Sequence, residues 1–297
     1  MIDLTRRQSL LLGAGVASAA ALAGHGALAA TMEAGVPVAD VKPPPLALEK
    51  GAKLNVLRPS QFIDPDKTWF LKNTKAYTEK TGVPVSVNFI SWEQLTPQTA
   101  VTANSGAGPD IVLGWYSDPQ VYVSKLVDLS DLGEYLGKKY GGWYDLATLY
   151  GTKWGSGAKQ WIAIPFGGAG GPAVYRISWV KEAGFDHIPN DLNQFLKLVQ
   201  NLKKHGHPAG WALGHAVGDG NGFCDWLMWS HGAYAIDENG KVAIDQAATI
   251  DALNYVKELY PNLIPGTTSW NDASNNQAFA AGEVSLTFNG VSIYYVL

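Results

Sequence analysis

The sequence predicts an α/β fold of two lobes, and three observations lead to that prediction. Strand and helix signals alternate from Lys53 onward, which implies mainly parallel sheets with helices on both faces. A stretch rich in Gly and Pro, Pro165–Pro172, divides these signals into two sets. A further turn at Asn289-Gly290 marks the point where we expect the chain to return to the first lobe.

The composition is that of a globular protein and excludes several classes of partner. Of the 297 residues, 46% are hydrophobic and 16% charged, so the chain can bury a sizeable core. The net charge is −4 and no basic stripe is present, which argues against nucleic acid and anionic lipid as partners. The 11 Trp and 13 Tyr residues suit a core, but they equally suit a site that grips flat, hydroxyl-rich molecules.

The first lobe begins after an extended segment. Lys42-Pro43-Pro44-Pro45 favours polyproline II, so residues 31–52 are predicted to be a linker. Asp64 and Pro65 are typical of a helix start, and Ser91 with Gln94 predicts a capping box whose helix Pro97 weakens or shortens. The predicted elements are a strand at Lys53–Leu57, a helix from Asp64 to Thr81, a strand at Val83–Phe89, a helix after Ser91, a strand at Asp110–Leu113, a helix from Ser117, and strands at Trp161–Pro165 and Ala173–Ile177.

The second lobe follows the same logic. Leu192, Phe195, Val199 and Leu202 lie on one helical face, behind a predicted cap at Asn190. The other predicted elements are a strand at Trp211–Leu213, a helix at Phe223–Trp229 after a Gly-rich turn, a strand at Lys241–Ile244 after the Asn239-Gly240 turn, helices at Thr249–Tyr260 and Ala273–Ala281, and a strand at Val284–Phe288.

Residues 1–30 are predicted to be an export signal rather than part of the fold. Arg6 and Arg7 precede a mildly apolar run, Leu10–Leu22, and Ala27-Leu28-Ala29 matches a cleavage site. The segment resembles a twin-arginine signal peptide, and its apolar run is shorter than the roughly 20 residues that a membrane span requires.

No cofactor or metal is expected. Cys224 is the single cysteine, so an intramolecular disulfide is impossible, and no C-x-x-C or H-E-x-x-H motif is present. His205 and His207 lie in a Lys-Lys-His-Gly-His-Pro turn, where exposed histidines are common.

Four segments, in order, carry a resemblance to a known family. They are Gly106–Val112 (a G-x-x-P-D-[IV] pattern), Ile162–Phe166 followed by glycines and Tyr175, Asn276–Glu283 (A-F-x-x-G-E), and the strand Leu286–Gly290. Together they resemble the family 1 extracellular solute-binding proteins, the maltose-binding-like receptors of ABC importers, over roughly Lys53 to Tyr295.

The resemblance implies a fold, a partner and a location. The fold is the two-lobed periplasmic binding protein-like fold (type II), with lobe one at 53–170, lobe two at 171–286 and a return to lobe one at 287–297. A periplasmic monomer without catalytic activity would trap a small polar solute between hinged lobes and deliver it to the permease subunits of an ABC transporter. Family members continue beyond the returning strand, so the chain is expected to be a truncated member.

Ligands of open α/β sheets lie beyond the carboxyl ends of the strands, so residues that follow strands are the candidate contacts. By resemblance, Trp115 or Tyr116 stacks on a sugar face and Asp118 accepts hydroxyl groups, with core packing and helix capping as the alternatives. Asp219 and Asn221 offer polar groups on a Gly-rich segment that is equally well a plain turn, and Asp272 is expected to cap its helix. The glycines at 167–171 are interpreted as hinge rather than ligand contacts. The remaining candidates are Gln61, Phe62, Phe166, Trp226, Trp270, Asn271, Asn289 and Tyr294, the last by resemblance alone.

Two other functions stay open at this point. A secreted glycosidase needs a pair of carboxylates across one bond, and the scattered Asp and Glu residues do not exclude such a pair. A receptor for an anionic solute such as a phosphate ester needs cations, which Arg58 or Arg176 could supply. Few basic residues follow the strands and aromatic residues are many, so a neutral sugar or polyol is the leading ligand.

Overall fold

The computed structural model describes residues 31–33, 36–45, 47–168 and 170–297, and the predicted signal peptide at 1–30 lies outside them. In chain order the strands are β1 (Thr31–Glu33), β2 (Val36–Val38), β3 (Leu54–Pro59), β4 (Val85–Ile90), β5 (Ile111–Val112), β6 (Ala173–Tyr175) and β7 (Leu286–Phe288). The helices are α1 (Asp64–Thr81), α2 (Trp92–Ser105), α3 (Asp118–Val121), α4 (Ser130–Tyr140), α5 (Asp145–Gly151), α6 (Ile177–Glu182), α7 (Leu192–Lys204), α8 (Asp219–Ser230), α9 (Ala247–Leu259), α10 (Ser274–Ala280) and α11 (Ser292–Val296).

The chain divides into two compact units. The first contains the described residues up to Leu48 together with Tyr116–Phe166, and the second contains Glu49–Trp115 and Gly167–Leu297. These limits differ from those of the predicted lobes, 53–170 and 171–286, and the lobe limits remain a prediction.

The first unit is built around one indole. Trp161 is buried, and its ring packs against two helices, each of which has a glycine at the contact. A Cβ atom added at Gly133 of α4 would lie 2.4 Å from the ring, and one at Gly151 of α5 would lie 2.6 Å from it. Trp143 completes the cluster, with its ring centroid 4.9 Å from that of Trp161 and its Nε1 donating to the Gly133 carbonyl. Antiparallel strands β1 and β2 also belong to this unit.

The second unit contains the parallel sheet that the alternating signals predict, with strand order β4-β3-β5. Asp110 fixes the start of β5 because its Oδ2 accepts from the backbone N–H of Asn55, 2.8 Å away, at the start of β3. Between β3 and β4, α1 begins at Asp64-Pro65 and ends at Gly82, whose φ of +74° is the left-handed conformation expected of a terminating glycine.

The main core of the second unit forms on the predicted apolar face of α7. Phe195, Leu198, Val199 and Leu202 are all buried there. They pack with Trp211, Phe223 of α8 and Leu259 of α9, and the antiparallel pair β6–β7 contributes Leu286. The predicted cap is one residue off: Asp191, not Asn190, accepts from the backbone N–H of Gln194.

Three predicted strands do not form as strands. Within Trp161–Pro165, Trp161 makes an isolated bridge with Thr152, and Pro165 lacks the N–H that a longer ladder would need. In Lys241–Ile244, Val242 bridges Ile236 across the Asn239-Gly240 turn, which does form. Around Trp211–Leu213, the backbone N–H of Gly210 donates to the Leu286 carbonyl and that of Leu213 to the Thr267 carbonyl. The segment is therefore extended but has no single partner strand.

Two helix predictions also need correction. Ser91 does precede α2, but its side chain makes no cap bond, and the helix continues through Pro97 to Ser105. Helix α8 begins at Asp219, four residues before the predicted start. No helix among the described residues is long and apolar enough to cross a membrane.

Candidate functional site

A ladder of three aromatic rings follows the carboxyl ends of the parallel strands in the second unit. Phe62, after β3, stacks on Trp92, with centroids 5.3 Å apart and planes at 18°. Trp92, after β4, lies 5.1 Å from Trp115, which follows β5. The indole N–H of Trp92 donates to the Ser60 carbonyl at 3.0 Å, which fixes the middle ring. The ladder therefore lies where open α/β sheets bind ligands.

The amino-terminal end of α8 meets the last ring of this ladder at a glycine. A Cβ atom added at Gly218 would lie 3.0 Å from Cη2 of Trp115 and 3.0 Å from Oδ1 of Asp272. The same Asp272 oxygen accepts from the backbone N–H of Asp219 at 2.7 Å. Asp272 therefore caps α8 rather than its own helix α10, and a Cβ atom at residue 218 would be tightly packed against both groups.

These groups form one site within the second unit, called here the aromatic–carboxylate cluster: Phe62, Trp92, Trp115, Gly218, Asp219 and Asp272. Burial raises the pKa of Asp219 to about 6, the hydrogen bond from Asn275 opposes that rise, and the Asp272 charge adds to it. Burial also raises the pKa of Asp272, against hydrogen bonds from the backbone of Asp219 and Gly218, with a further rise from Glu93. Two partly desolvated carboxylates beside aromatic faces suit a molecule with hydroxyl donors and apolar C–H faces.

A buried amide network lies behind the carboxylates. Asn275 Nδ2 donates to Asp219 Oδ2 at 2.7 Å and to the Phe288 carbonyl at 3.2 Å. Asn289 donates to Asn276 Oδ1, and Ser292 Oγ donates to Asn289 Oδ1 at 3.0 Å. The predicted contact Asn289 is thus buried in this network, which ties α10 to the segment that follows β7.

The structure therefore brings Phe62, Trp115 and Asp219 together, and Gln61 lies half-buried beside Phe62 at the end of β3. Asn221 is exposed on the first turn of α8.

Four other predicted contacts of this unit have packing or surface positions. Trp226 packs in the core against Phe195 and Phe288, and Trp270 packs against the smaller core cluster around Phe279. Asn271 is exposed, and its Oδ1 accepts from the backbone N–H of Ala273 at 3.0 Å in the turn before α10. Tyr294 is 75% exposed on α11. Their roles as ligand contacts remain predictions.

Three predicted contacts belong to the first unit. Tyr116 lies with its ring centroid 5.1 Å from that of Tyr150. Asp118 is the first residue of the short helix α3, a position where a carboxylate interacts favourably with the helix dipole. Phe166 is 77% exposed at the end of the unit. Their roles too remain predictions.

The two arginines considered for an anionic solute are both engaged within the protein. Arg58 is buried, forms a 2.6 Å ion pair with Asp66 and lies over the ring of Phe70. Arg176 donates from Nη2 to the Phe279 carbonyl and lies over the rings of Trp179 and Phe279. Each guanidinium is thus held by internal contacts, while Nη1 of Arg58 and Nε of Arg176 are buried without a hydrogen-bond partner among the described residues.

Sequence reasoning missed two residues of this region. Trp92 follows β4 as directly as Phe62 follows β3, so the rule used for the other strands would have found it. Asn275 carries no such signal, because its partner Asp219 lies 56 positions earlier in the chain. Across the described part of the chain, no group of three or more His, Cys, Asp or Glu side chains is placed to hold a metal ion.

Comparison with known proteins assigns the family. The profile of the bacterial extracellular solute-binding proteins matches residues 72–297, three quarters of the sequence. The chain belongs to this family. The resemblance found in the four sequence segments is thereby confirmed, and relatives of this solute-binding protein serve in transport. A search of curated proteins by sequence finds no match.

Solved structures of transport receptors share the fold of this solute-binding protein. Maltose-bound MalE3 of T. maritima is 19% identical, with a TM-score of 0.66 over 82% of this chain and 62% of that one. An ABC-transporter solute-binding protein from Agrobacterium radiobacter K84, in complex with ribitol, is 17% identical, with a TM-score of 0.64 over 81% and 60%. A sugar transporter from Arthrobacter chlorophenolicus A6 with laminaribiose is 17% identical, with a TM-score of 0.65 over 80% and 60%.

These likenesses confirm the predicted fold class, the two-lobed periplasmic binding protein-like α/β fold. The chain spans about 60% of the length of the structures that it matches.

Proposed function

We propose that this protein is the solute-binding component of an ABC importer and that its solute is a sugar or polyol. The observation that carries the proposal is the aromatic–carboxylate cluster, where the Phe62–Trp92–Trp115 ladder adjoins the Asp219 and Asp272 carboxylates. Aromatic faces stack on the C–H surfaces of a sugar ring, and carboxylates accept its hydroxyl hydrogens. The family assignment and the sugar- and polyol-bound structural neighbours support the same class of solute.

The remainder of the proposal concerns the cellular setting. The protein acts as a monomer outside the cytoplasm and passes its solute to the permease subunits of the transporter, without a cofactor. The pair Arg6 and Arg7 directs it through the twin-arginine route. An anionic solute is disfavoured because Arg58 and Arg176 are already paired within the protein.

The test is a thermal-shift screen of the full chain against sugars, polyols, amino acids and phosphate esters, followed by calorimetric titration. We expect a sugar or polyol to raise the melting temperature and to bind with micromolar affinity, about −8 kcal/mol. Chromatography of the solute after incubation should recover it unchanged. Binding confined to amino acids or phosphate esters would contradict the solute class, and a hydrolysed product would contradict transport without catalysis.

A further inference from the structure

Asn275 lies at the second position of α10, and its side-chain amide makes three hydrogen bonds within the protein. The residue is 1% exposed. Both hydrogens of Nδ2 have acceptors, Oδ2 of Asp219 at 2.7 Å and the carbonyl of Phe288 at 3.2 Å. Its Oδ1 accepts from the backbone N–H of Asn276 at 3.0 Å. Every hydrogen-bonding direction of the amide except one lone pair is therefore accounted for.

These partners leave the amide a single orientation. A flipped amide would place Oδ1 against two acceptors, the Asp219 carboxylate and the Phe288 carbonyl, and Nδ2 against an N–H donor. Asn275 consequently acts toward Asp219 as a donor. A donor of this kind favours the ionised carboxylate, which is the form that accepts hydroxyl hydrogens from a solute.

Asp219 is held at two points by groups distant in the chain. Its backbone N–H is bound by Asp272 and its Oδ2 by Asn275, whereas Oδ1 has no hydrogen-bond partner among the described residues. Trp115, the last ring of the ladder, packs on the residue directly before it, Gly218. One carboxylate oxygen thus remains for an outside donor next to an aromatic face.

We propose that Asn275 is a positioning residue of the aromatic–carboxylate cluster: it fixes Oδ2 of Asp219 so that Oδ1 accepts a hydroxyl group of the bound sugar or polyol. The inference rests on the proposed function and deepens it, because it assigns polar recognition to a residue that does not touch the solute. The Phe288 carbonyl gives Asn275 its second anchor, on β7, so the orientation of Asp219 is tied to the strand that leads into the returning segment.

The electrostatic surroundings oppose ionisation of Asp219, and the Asn275 hydrogen bond favours it. Burial and the neighbouring Asp272 both raise the pKa of Asp219, Glu93 of α2 acts in turn on Asp272, and the Asn275 hydrogen bond opposes the rise. With a pKa of about 6, Asp219 is mostly ionised at pH 7. Loss of the Asn275 donor would raise that pKa and leave a large protonated fraction at the same pH.

The matched variants are Asn275→Leu and Asn276→Leu in the full chain. Both remove a buried amide from one network, but Asn276 contacts Ser292 and Asn289 instead of Asp219. The side-chain carboxyl carbon of Asp219 is followed by NMR between pH 4 and pH 9, with its resonance assigned through Asp219→Asn. We expect the midpoint to rise by about one pH unit in Asn275→Leu, a change typical of losing one hydrogen bond to a carboxylate. It should stay within about 0.2 units in Asn276→Leu.

A second arm measures binding by calorimetry between pH 5 and pH 8, with maltose, laminaribiose, ribitol and D-mannitol as probes. At pH 7 the affinity of Asn275→Leu for the probe that wild type binds should fall at least fivefold and recover in part at pH 8. The affinity of Asn276→Leu should keep the wild-type pH profile. If Asn275→Leu does not fold, Asn275→Asp keeps the shape of the side chain, replaces the donor with an acceptor, and should raise the Asp219 midpoint at least as far.

The outcomes separate the two proposals. Wild type that binds none of the probes and no other sugar or polyol of the thermal-shift screen overturns the assigned solute class, and with it the assignment of Oδ1 to a solute hydroxyl, whatever the NMR midpoint. An unmoved Asp219 midpoint in folded Asn275→Leu, or an equal shift in Asn276→Leu, overturns the inference about Asn275 alone. So does a shifted midpoint accompanied by wild-type affinity at pH 7.

Discussion

Trp92 and Trp115 are the aromatic residues whose substitution tests the proposed binding site most directly. Both are half-buried; Trp92 packs between Phe62 and Trp115, and Trp115 packs against Trp92, so truncation of either removes part of the aromatic ladder. We expect Trp92→Ala and Trp115→Ala each to lower solute affinity more than tenfold, since a buried aromatic contact typically contributes about 2 kcal/mol or more. The measurement is calorimetric titration with the solute identified by the screen.

Trp69→Ala is the matched control for those two variants. Trp69 is 58% exposed on α1 and its ring contacts Lys72 rather than the ladder. Its truncation should leave affinity within about twofold, because a surface side chain away from the site contributes little. Wild-type affinity in both ladder variants, or a loss in Trp69→Ala alone, would remove the cluster as the binding site.

Asp219 should show a conflict between stability and binding that depends on pH. Its folded-state pKa of about 6 lies above the ordinary value, so the folded state binds more protons and loses stability as pH rises from about 4 to about 6. A rise of roughly two units costs up to about 3 kcal/mol above pH 6, at about 1.4 kcal/mol per unit.

Asp219→Asn removes this cost and still offers an oxygen to Asn275. Thermal melts should therefore show the variant to be more stable than wild type at pH 7 and no more stable at pH 4. Calorimetry should show weaker solute binding at pH 7. A stability gain of the same size at both pH values would refute the electrostatic origin of the effect.

At the scale of the element, helix α8 owes its start to a residue from elsewhere in the chain. Asp272 binds the backbone N–H groups at the first turn, and Gly218 allows Trp115 and the Asp272 carboxylate to approach. Gly218→Ala should lower the melting temperature and the solute affinity together, because its Cβ would lie 3.0 Å from both groups. Backbone strain is not the reason, since φ is −73° at this position.

Gly222→Ala is the control on the same helix. No atom lies within 4 Å of a Cβ added there, so the change should raise stability by about 0.4–1 kcal/mol and leave affinity unaltered. Thermal melts and calorimetry of both variants check the pair. Equal behaviour of the two would contradict the close approach of Trp115 to Gly218.

Helices α1, α7 and α8 show which elements the sequence predicts from local spacing and which it does not. The apolar face of α7 follows from local spacing, and so do the start of α1 at Asp64-Pro65 and its end at Gly82. The start of α8 does not, because its capping carboxylate lies 53 positions later, at Asp272. The sequence predicts a strand at Trp211–Leu213, but the structure has an extended segment there. Local spacing does not reveal this, because the hydrogen-bond partners of the segment are two separate, distant parts of the chain.

For the site, the structure shows which predicted residues lie close together, and their roles as solute contacts remain predictions. Phe62 and Trp115 follow β3 and β5 and belong to one ladder of rings, whereas Trp226 and Trp270 pack in the two core clusters. A single sequence does not distinguish a core indole from a stacking one, since both bury an apolar face.

At the scale of the whole molecule, the two units have separate cores, and their stabilities should be separable. A Cβ atom at Gly133 would lie 2.4 Å from the Trp161 ring, which is fixed by its neighbours, so Gly133→Ala should unpack the first unit. Hydrogen exchange should show lost protection at the backbone N–H groups of Leu129 and Ile162, with protection in α7 retained. Equal loss in α7 would show that the two cores unfold as one.

The export route of the whole chain is predicted to depend on the arginine pair in residues 1–30. Cys224 is the single cysteine of this sequence, so no disulfide can form within it, which is compatible with a route that carries folded proteins. We expect the double variant Arg6→Lys, Arg7→Lys to accumulate as precursor in the cytoplasm, although its charge is unchanged, because the route reads the arginine pair itself. Cell fractionation of the full-length chain measures this, with Lys42→Arg in the linker as a charge-matched control that should be exported normally. Normal periplasmic yield of the double variant would mean that the segment is not read as a twin-arginine signal.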